Sequence, residues 1–184
     1  MDIKGNFVKL RAIENEDLEL MREMLNDPEI ENAVVGWAFP VSKSQQQQWY
    51  ENNINNTTNF RFIIETPENE AVGLATLTNI DWKNRSATHG IKLANRANRG
   101  QGIGTDTVMA IMRYAFEELN LHRLNGSWLE KNRGSERLYT KCGWVIEGQK
   151  RQCVYKNGEF HNLMQVGILK SEYESIVKQL KYWE

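Results

Sequence analysis

Three glycines at alternate positions mark the part of this chain best suited to hold an anion. The stretch consists of Arg99, Gly100, Gln101, Gly102, Ile103, Gly104 and Thr105. A glycine lacks the Cβ atom that would keep a ligand away from the backbone, and arginine adds a permanent, forked cation. The residue types and their spacing therefore predict a loop that binds phosphate groups.

The elements around this loop favour the same chemistry. A short strand pattern, Ala87 to Ala94, precedes it, and apolar residues after Thr105 recur at the spacing of one buried helix face. These apolar residues are Val108, Ile111, Met112, Ala115, Phe116 and Leu119. The first N–H groups of a helix lack helical partners and carry about half a positive charge. We therefore expect the loop to bind a pyrophosphate.

Two common phosphate-binding loops do not match the stretch. The Walker loop has Lys followed by Ser or Thr after its last glycine, whereas Gly104 is followed by Thr105 and Asp106. The dinucleotide fingerprint has two residues between its second and third glycines, and here there is one. A nucleotide-binding protein with some other phosphate loop stays as an alternative.

The loop resembles the Arg/Gln-x-x-Gly-x-Gly/Ala signature of the GNAT superfamily of N-acetyltransferases, which binds the pyrophosphate of acetyl-CoA. Four further motifs follow in the order of that family: Leu121 to Leu124, Asn132, Arg137 to Tyr139, and Lys141 to Trp144. Trp144 replaces the usual Phe, and Gly134-Ser135 is a mild departure. The C-terminal Asn157 to Phe160 and Glu172-Tyr173 resemble the ribosomal-protein (Rim-type) branch, and bacterial spermidine N-acetyltransferases are similar too. The resemblance extends over nearly the whole chain.

The resemblance implies a set of cofactor-binding residues. The backbone of Lys92, Leu93 and Ala94, at the end of the strand, would pair with the pantetheine arm and hold the thioester carbonyl. The pyrophosphate would lie on the loop from Arg99 to Thr105. The side-chain amide of Asn132 would bond the pantetheine chain.

The same resemblance makes Tyr139 the general acid that gives a proton to the sulfur of coenzyme A. The alternative is a core tyrosine on an amphipathic turn. No general base is assigned, because Thr88 stands where many relatives have Glu and cannot serve as a base. Strand alternation turns His89 to the opposite face, which favours a structural or surface histidine. A water relay or the carboxylate of Glu31 are further alternatives.

The implied reaction is acetyl transfer from acetyl-CoA to a primary amine by direct attack in a ternary complex. The acceptor could be a polyamine, an amino sugar or another small molecule, or a protein N-terminus. Polyamine binding would use carboxylates such as Glu29, Glu31 and Glu51. Trp37, Phe39 and Trp49 could instead line a site for an amino sugar, antibiotic or peptide. A coenzyme A-binding regulator without catalysis is the alternative function, suggested by Thr88.

Composition limits the remaining possibilities. The 184 residues carry a net charge of −1 with no basic block, so we expect no nucleic-acid partner, and no apolar run suggests a membrane segment. Two cysteines fit a reducing cytoplasm, and Cys142 is either a buried structural residue or a thiol nucleophile. His89, His122 and His161 lack metal-ligand spacing, so no metal is expected. We expect a monomer or homodimer.

The elements that must position these residues predict an α/β (α+β) protein. We expect one domain, residues 1–184, with a mixed central sheet of about seven strands flanked by helices, as in the GNAT fold. The acetyl-CoA loop would lie between strand 4 and helix 3. Ser42 and Gln45 form a helix capping box, and Asn157-Gly158 between apolar segments predicts a hairpin.

Overall fold

A mixed sheet of eight strands is the centre of the fold. The computed structural model describes residues 2–36, 39–95, 98 and 100–184. The strands are β1 (Ile3–Lys4), β2 (Lys9–Arg11), β3 (Phe60–Glu65), β4 (Ala71–Asp81), β5 (Ser86–Leu93), β6 (Arg123–Leu129), β7 (Val145–Lys156) and β8 (Glu159–Leu169). Their order is β1-β2-β3-β4-β5-β6-β8-β7. All neighbours are antiparallel except β5 and β6, which are parallel.

Helices cover both faces of the sheet. They are α1 (Leu18–Asn26), α2 (Pro28–Ala33), α3 (Lys43–Asn53), α4 (Ile103–Arg113), α5 (Arg133–Lys141) and α6 (Lys170–Leu180). On β3, Ile63 packs with α1 and α2, whereas the next residue, Ile64, packs with α4. Successive strand side chains point to opposite faces, so the sheet is buried on both sides. Among the described residues no helix is long and apolar enough to cross a membrane.

The mixed α/β architecture is confirmed, and the structure differs from the expectation in two details. The sheet has eight strands rather than about seven, because Ile3–Lys4 pairs with β2 as a short first strand. The glycine loop consequently follows the fifth strand and precedes the fourth helix, since the short α2 also counts as a helix. A two-residue strand is too short to give an alternating pattern, which is why the sequence did not indicate it.

The helix after the loop provides the core of one layer. Residues Val108 to Met112 are fully buried, and after Arg113 the helix widens into a π-helix over Tyr114–Glu118. The chain then enters β6, which lies parallel to β5. This strand–helix–strand crossover places the N-terminus of α4 beside the end of β5.

Two locally encoded features are confirmed. Ser42 accepts from the N–H of Gln45 at 3.2 Å, and the Gln45 side chain accepts from the N–H of Ser42 at 2.9 Å. Asn157 and Gly158 both have positive φ, at 52° and 85°, as a two-residue type I′ turn requires.

Candidate active site

The candidate site contains a gap between strands β5 and β6. These strands pair only over Ser86 to Thr88 and Arg123 to Asn125. β5 continues to Leu93 and β6 to Leu129, and no pairing joins these described segments. Backbone N–H and C=O groups along this side of β5 are therefore open to a ligand.

A cleft of about 640 Å³ adjoins the gap. Helices α1 and α3 cover it, and β4 and β5 form its floor. Its apolar wall includes Met21, Met24, Trp49 and Leu74, and its hydroxyl-bearing floor includes Thr76, Thr78 and Thr88. The cleft continues past Gly90 to Trp128 and Tyr139 on the far side of the gap. It therefore connects the two faces of the sheet.

Tyr139 lies at the far end of this cleft. Its ring stacks on Trp128 at 5.6 Å and meets Trp144 edge-on at 4.9 Å between ring centroids. Among the described residues its hydroxyl has no hydrogen-bond partner. Burial, reinforced by nearby Cys142, raises the pKa of Tyr139 well above its usual value. The hydroxyl thus stays protonated at neutral pH, as a proton donor requires.

Thr88 and His89 lie on opposite sides of β5. Thr88 is on the cleft floor, and the buried His89 packs against Tyr139 and Trp144. His89 Nδ1 donates to the carbonyl of Thr76 at 3.0 Å, and its buried Nε2 has no partner in the described structure. Burial lowers the pKa of His89 to about 4, although the bond to Thr76 opposes the shift. An imidazole this weakly basic is poorly suited to deprotonate an amine at neutral pH.

No side chain caps the N-terminus of α4, where the glycine loop ends. Gly102 is the N-cap residue, with φ of 86°, and makes no side-chain cap, so the N–H groups of Ile103, Gly104 and Thr105 remain available. Gly100 also has positive φ, at 80°, and faces open space. Arg99 lies outside the described residues. The backbone geometry of Gly100 to Thr105 fits an anion.

A family model described as an acetyltransferase (GNAT) domain matches residues 8–145. The chain belongs to the GNAT acetyltransferase family. The family assignment confirms the resemblance and makes the chain an enzyme of the N-acetyltransferase type.

Three relatives show how far this GNAT chain resembles proteins already described. A prophage-derived uncharacterised N-acetyltransferase of Bacillus subtilis, YokL, is 30% identical over 171 residues, 92% of this chain and 94% of that protein. The B. subtilis protein YdaF, provisionally named a ribosomal N-acetyltransferase, is 35% identical over 102 residues, 55% of each chain. Spermidine N-acetyltransferase from Vibrio cholerae, solved with CoA and spermine, superposes with a TM-score of 0.86 at 26% identity, covering 91% of this chain and 98% of that one.

The open edge of β5 ends at the three residues that are predicted to pair with the pantetheine arm. Lys92 and Leu93 pair with β4 on their other side. The N–H of Ala94 already donates to Val72 at 2.9 Å. The roles of Lys92, Leu93 and Ala94 in binding acetyl-CoA stay predictions.

Asn132 has structural contacts that the sequence did not indicate. Its Oδ1 caps α5 by accepting from the N–H of Ser135 at 3.0 Å. Its Nδ2 donates to the carbonyl of Ala33 at 2.8 Å, which ties α5 to α2. The side chain therefore positions two elements beside the site, and its bond to pantetheine stays a prediction.

The three carboxylates considered for polyamine binding have other surroundings than the cleft lining. Glu31 pairs with the ammonium of Lys156, and Glu51 accepts from Gln47 at 3.0 Å on an exposed helix face. Glu29 lines a second cleft of about 410 Å³. None of these residues lines the cleft that leads to Tyr139.

The structure brings two cations into the cleft that the sequence did not single out as acceptor-binding residues. Arg61 lies over the ring of Trp49, 5.0 Å from its centroid, and the side chain of Lys92 lines the same wall. The only available signal was an arginine within the apolar strand Phe60–Glu65. Of the aromatics proposed for the acceptor site, Trp49 lines the cleft, Phe39 is 65% exposed, and Trp37 lies outside the described residues.

Cys142 is buried, and its thiol lies 4.0 Å from the carbonyl of Thr105. Burial raises its pKa to about 12. A thiol that is protonated and inaccessible is a poor nucleophile, so the geometry supports the structural interpretation. The described residues contain no cluster of three or more His, Cys, Asp or Glu suited to a metal.

Proposed function

We propose that this protein transfers the acetyl group of acetyl-CoA to a primary amine by direct attack in a ternary complex. The observation that carries the proposal is the cleft that joins the unpaired edge of β5 to Tyr139. Both substrates can meet there, because the cleft reaches both faces of the sheet. The coenzyme A-bound Vibrio cholerae structure supports the donor.

Different residues of the chain bind different parts of the donor, acetyl-CoA. Gly100, Gln101 and Gly102, with the free N–H groups at the start of α4, hold the pyrophosphate, and Arg99 adds its charge. The open edge of β5 near Lys92 and Leu93 binds the pantetheine arm. Backbone N–H groups held in a strand stabilise the charge on the thioester oxygen without having to reorganise.

The chemical step needs a neutral amine and a proton donor. The nitrogen lone pair forms a bond to the carbonyl carbon, and the carbon–sulfur bond then breaks. Tyr139 gives its proton to the departing sulfur, and the new amide nitrogen loses its extra proton to water in the cleft. Tyr139 then regains a proton from that water. Direct transfer needs no nucleophile from the protein, which is consistent with the buried Cys142.

The first experiment measures the melting temperature with acetyl-CoA and coenzyme A, with ATP and NAD as controls. A ligand at about a hundred times its dissociation constant adds roughly 2.7 kcal/mol, which raises the melting temperature of a chain this long by about 5–10 °C. A rise with acetyl-CoA and none with ATP supports the donor. A rise with ATP alone would contradict it.

The second experiment measures thiol release from acetyl-CoA with a panel of amines that includes spermidine and spermine, the amines named for the relative. Release that depends on an amine supports catalysis. Acetyl-CoA binding without release from any amine would favour the alternative, a coenzyme A-binding regulator. We further propose that the enzyme works in the cytoplasm, since both Cys142 and Cys153 are free thiols. A monomer or homodimer stays a prediction.

A further inference from the structure

The acceptor cleft contains cations and no carboxylate. Arg61 and Lys92 line it, whereas no Asp or Glu does so among the residues that the structure describes. The sequence has no Asp or Glu at positions 1, 37, 38, 96, 97 and 99 either. An ammonium group leaves water at a high cost unless it is paired, and nearby positive charges repel it. This cleft is therefore poorly suited to a ligand with several ammonium groups.

Arg61 has no ionic partner within the described part of the chain. Its guanidinium is partly buried over Trp49, and this burial lowers its pKa. A partly desolvated cation that lies over an aromatic ring, with no carboxylate paired to it among the described residues, is available to bind an anionic group of a ligand. Arginine presents a fork of N–H donors that matches a carboxylate.

The strand register places Arg61 two strands away from the gap beside β5, where the proposed acetyl transfer takes place. Arg61 is the register partner of Thr76, which is in turn the partner of Gly90 at the edge of the gap. Register partners share a face, and two strand spacings are roughly 10 Å. An acceptor lying across Thr76 can reach the gap with its amine and Arg61 with an acid. Met21 and Met24 line the wall of the same cleft, where they can cover an apolar segment between the two groups.

Lys92 gives the cleft a second positive charge on the same face, since it is the register partner of Leu74. Burial lowers its pKa, and the charge of Lys156 adds to this effect against the opposing charge of Glu31. Cations near a bound amine disfavour its ammonium form and so lower the pKa of the amine. A cationic cleft thus favours the neutral nucleophile, which partly offsets the absence of a carboxylate at Thr88.

We infer that the acceptor is a small amino acid-like molecule, an amine joined by an apolar segment to a carboxylate that Arg61 binds. This inference rests on the proposed acetyl transfer and names its substrate class. It differs from the polyamine of the Vibrio cholerae relative.

The test compares matched acceptors in the thiol-release assay. 5-Aminopentanoate is paired with pentylamine, and 6-aminohexanoate with hexylamine. The amines within each pair have nearly the same pKa, and spermidine is the fifth acceptor. We expect kcat/KM to be at least about tenfold higher for the carboxylate-bearing member of one or both pairs, and lowest for spermidine.

Variants at position 61 separate recognition of the carboxylate from other effects. Arg61→Gln should reduce the carboxylate preference by about 10- to 100-fold, because it removes a charge-assisted hydrogen bond, and Arg61→Lys should retain part of it. The ratio between wild type and variant cancels the difference in amine pKa within a pair. Arg151→Gln, which removes an exposed arginine, should leave the preference unchanged.

Two outcomes would overturn the inference while the proposed function stands. They are faster acetylation of spermidine than of either amino acid, and a carboxylate preference that survives Arg61→Gln. Binding of acetyl-CoA without release from any of the five amines would overturn the proposed acetyl transfer itself, and so would the failure of acetyl-CoA to raise the melting temperature. The two failures are therefore distinguishable.

Discussion

The surroundings of Tyr139 suit a proton donor more than a packing residue. Trp128 and Trp144 fix the ring, and the residue lines the cleft with its hydroxyl unpaired among the described residues. A buried tyrosine in an ordinary core usually finds a hydrogen-bond partner. The missing partner is consistent with a hydroxyl that meets a substrate atom.

Removing only the hydroxyl tests this role. In Tyr139→Phe we expect kcat to fall by about a hundredfold or more, the usual contribution of a general acid, with little change in acetyl-CoA affinity. Thiol-release kinetics and the acetyl-CoA-induced rise in melting temperature measure the two quantities. Tyr155→Phe is the matched control, because Tyr155 is 62% exposed and packs on Phe160. An unchanged kcat would remove Tyr139 from the mechanism.

His89 makes stability depend on pH. Its pKa is about 4 in the folded chain and about 6.5 when unfolded, so the unfolded state binds the proton first as the pH falls. The stabilisation of the folded state by neutral His89 is present above pH 6.5 and is lost as the pH falls toward 4. Between pH 7 and pH 5 we expect this residue to reduce the free energy of unfolding by about 2 kcal/mol.

Urea titrations at pH 7 and pH 5 measure this loss. Between pH 7 and pH 5, the free energy of unfolding of His89→Asn should fall by about 2 kcal/mol less than that of wild type, whatever the stability of the variant at pH 7. His122→Asn, at an exposed histidine, should behave like wild type. Equal losses in wild type and His89→Asn would show that His89 is not held neutral.

At the scale of elements, the junction of β5, the glycine loop and α4 is the predicted binding site for the pyrophosphate. Gly102 has a left-handed backbone, and a Cβ there would approach the ring of Phe7 to 3.3 Å. The residue is therefore constrained by backbone conformation and by space.

Gly102→Ala should lower the free energy of unfolding by about 1–2 kcal/mol, the cost of a left-handed conformation for a residue with a Cβ. We also expect acetyl-CoA to bind about tenfold more weakly, because the helix N-terminus shifts. Gly148→Ala is the control, since a Cβ at Gly148 meets no atom within 4 Å. Calorimetric titration with acetyl-CoA gives the affinities; unchanged binding by Gly102→Ala would contradict the assignment of the loop.

At the scale of the whole molecule, Asp106 joins both ends of the chain to the helix that follows the loop. The buried carboxylate accepts from the N–H groups of Asn6, Phe7 and Val8 at 2.8–2.9 Å. It also accepts from the hydroxyl of Tyr182 at 2.9 Å. This single side chain thus fixes α4 against the N-terminal and C-terminal segments.

Asp106→Asn should lower the free energy of unfolding by about 2–4 kcal/mol, because an amide cannot satisfy all the donors that face the carboxylate. Denaturant unfolding at neutral pH measures the effect. Asp2→Asn is the matched control, since Asp2 is exposed, and should change stability by less than about 0.5 kcal/mol. A similarly small effect at Asp106 would mean that its hydrogen bonds to the two terminal segments contribute little to stability.

Local patterns account for most of what the sequence predicted correctly. The helix after the glycine loop, the capping box at Ser42 and the turn at Asn157-Gly158 depend on residues a few positions apart, so their physical causes are visible in the linear sequence. The ordered motifs around the glycine loop also indicated the family. The first strand was missed because two residues carry no periodicity.

Motifs of residues close together in the chain were enough to predict the acetyltransferase family and the mixed α/β architecture, and they marked the glycine loop as the predicted phosphate site. The gap between β5 and β6, the structural contacts of Asn132 and the charge of the cleft depend on the fold. Arg61, Trp49 and Lys92 lie on three separate elements and meet only through strand register and helix packing. Non-local packing has no signal in a local pattern, so the cationic character of the cleft required the fold.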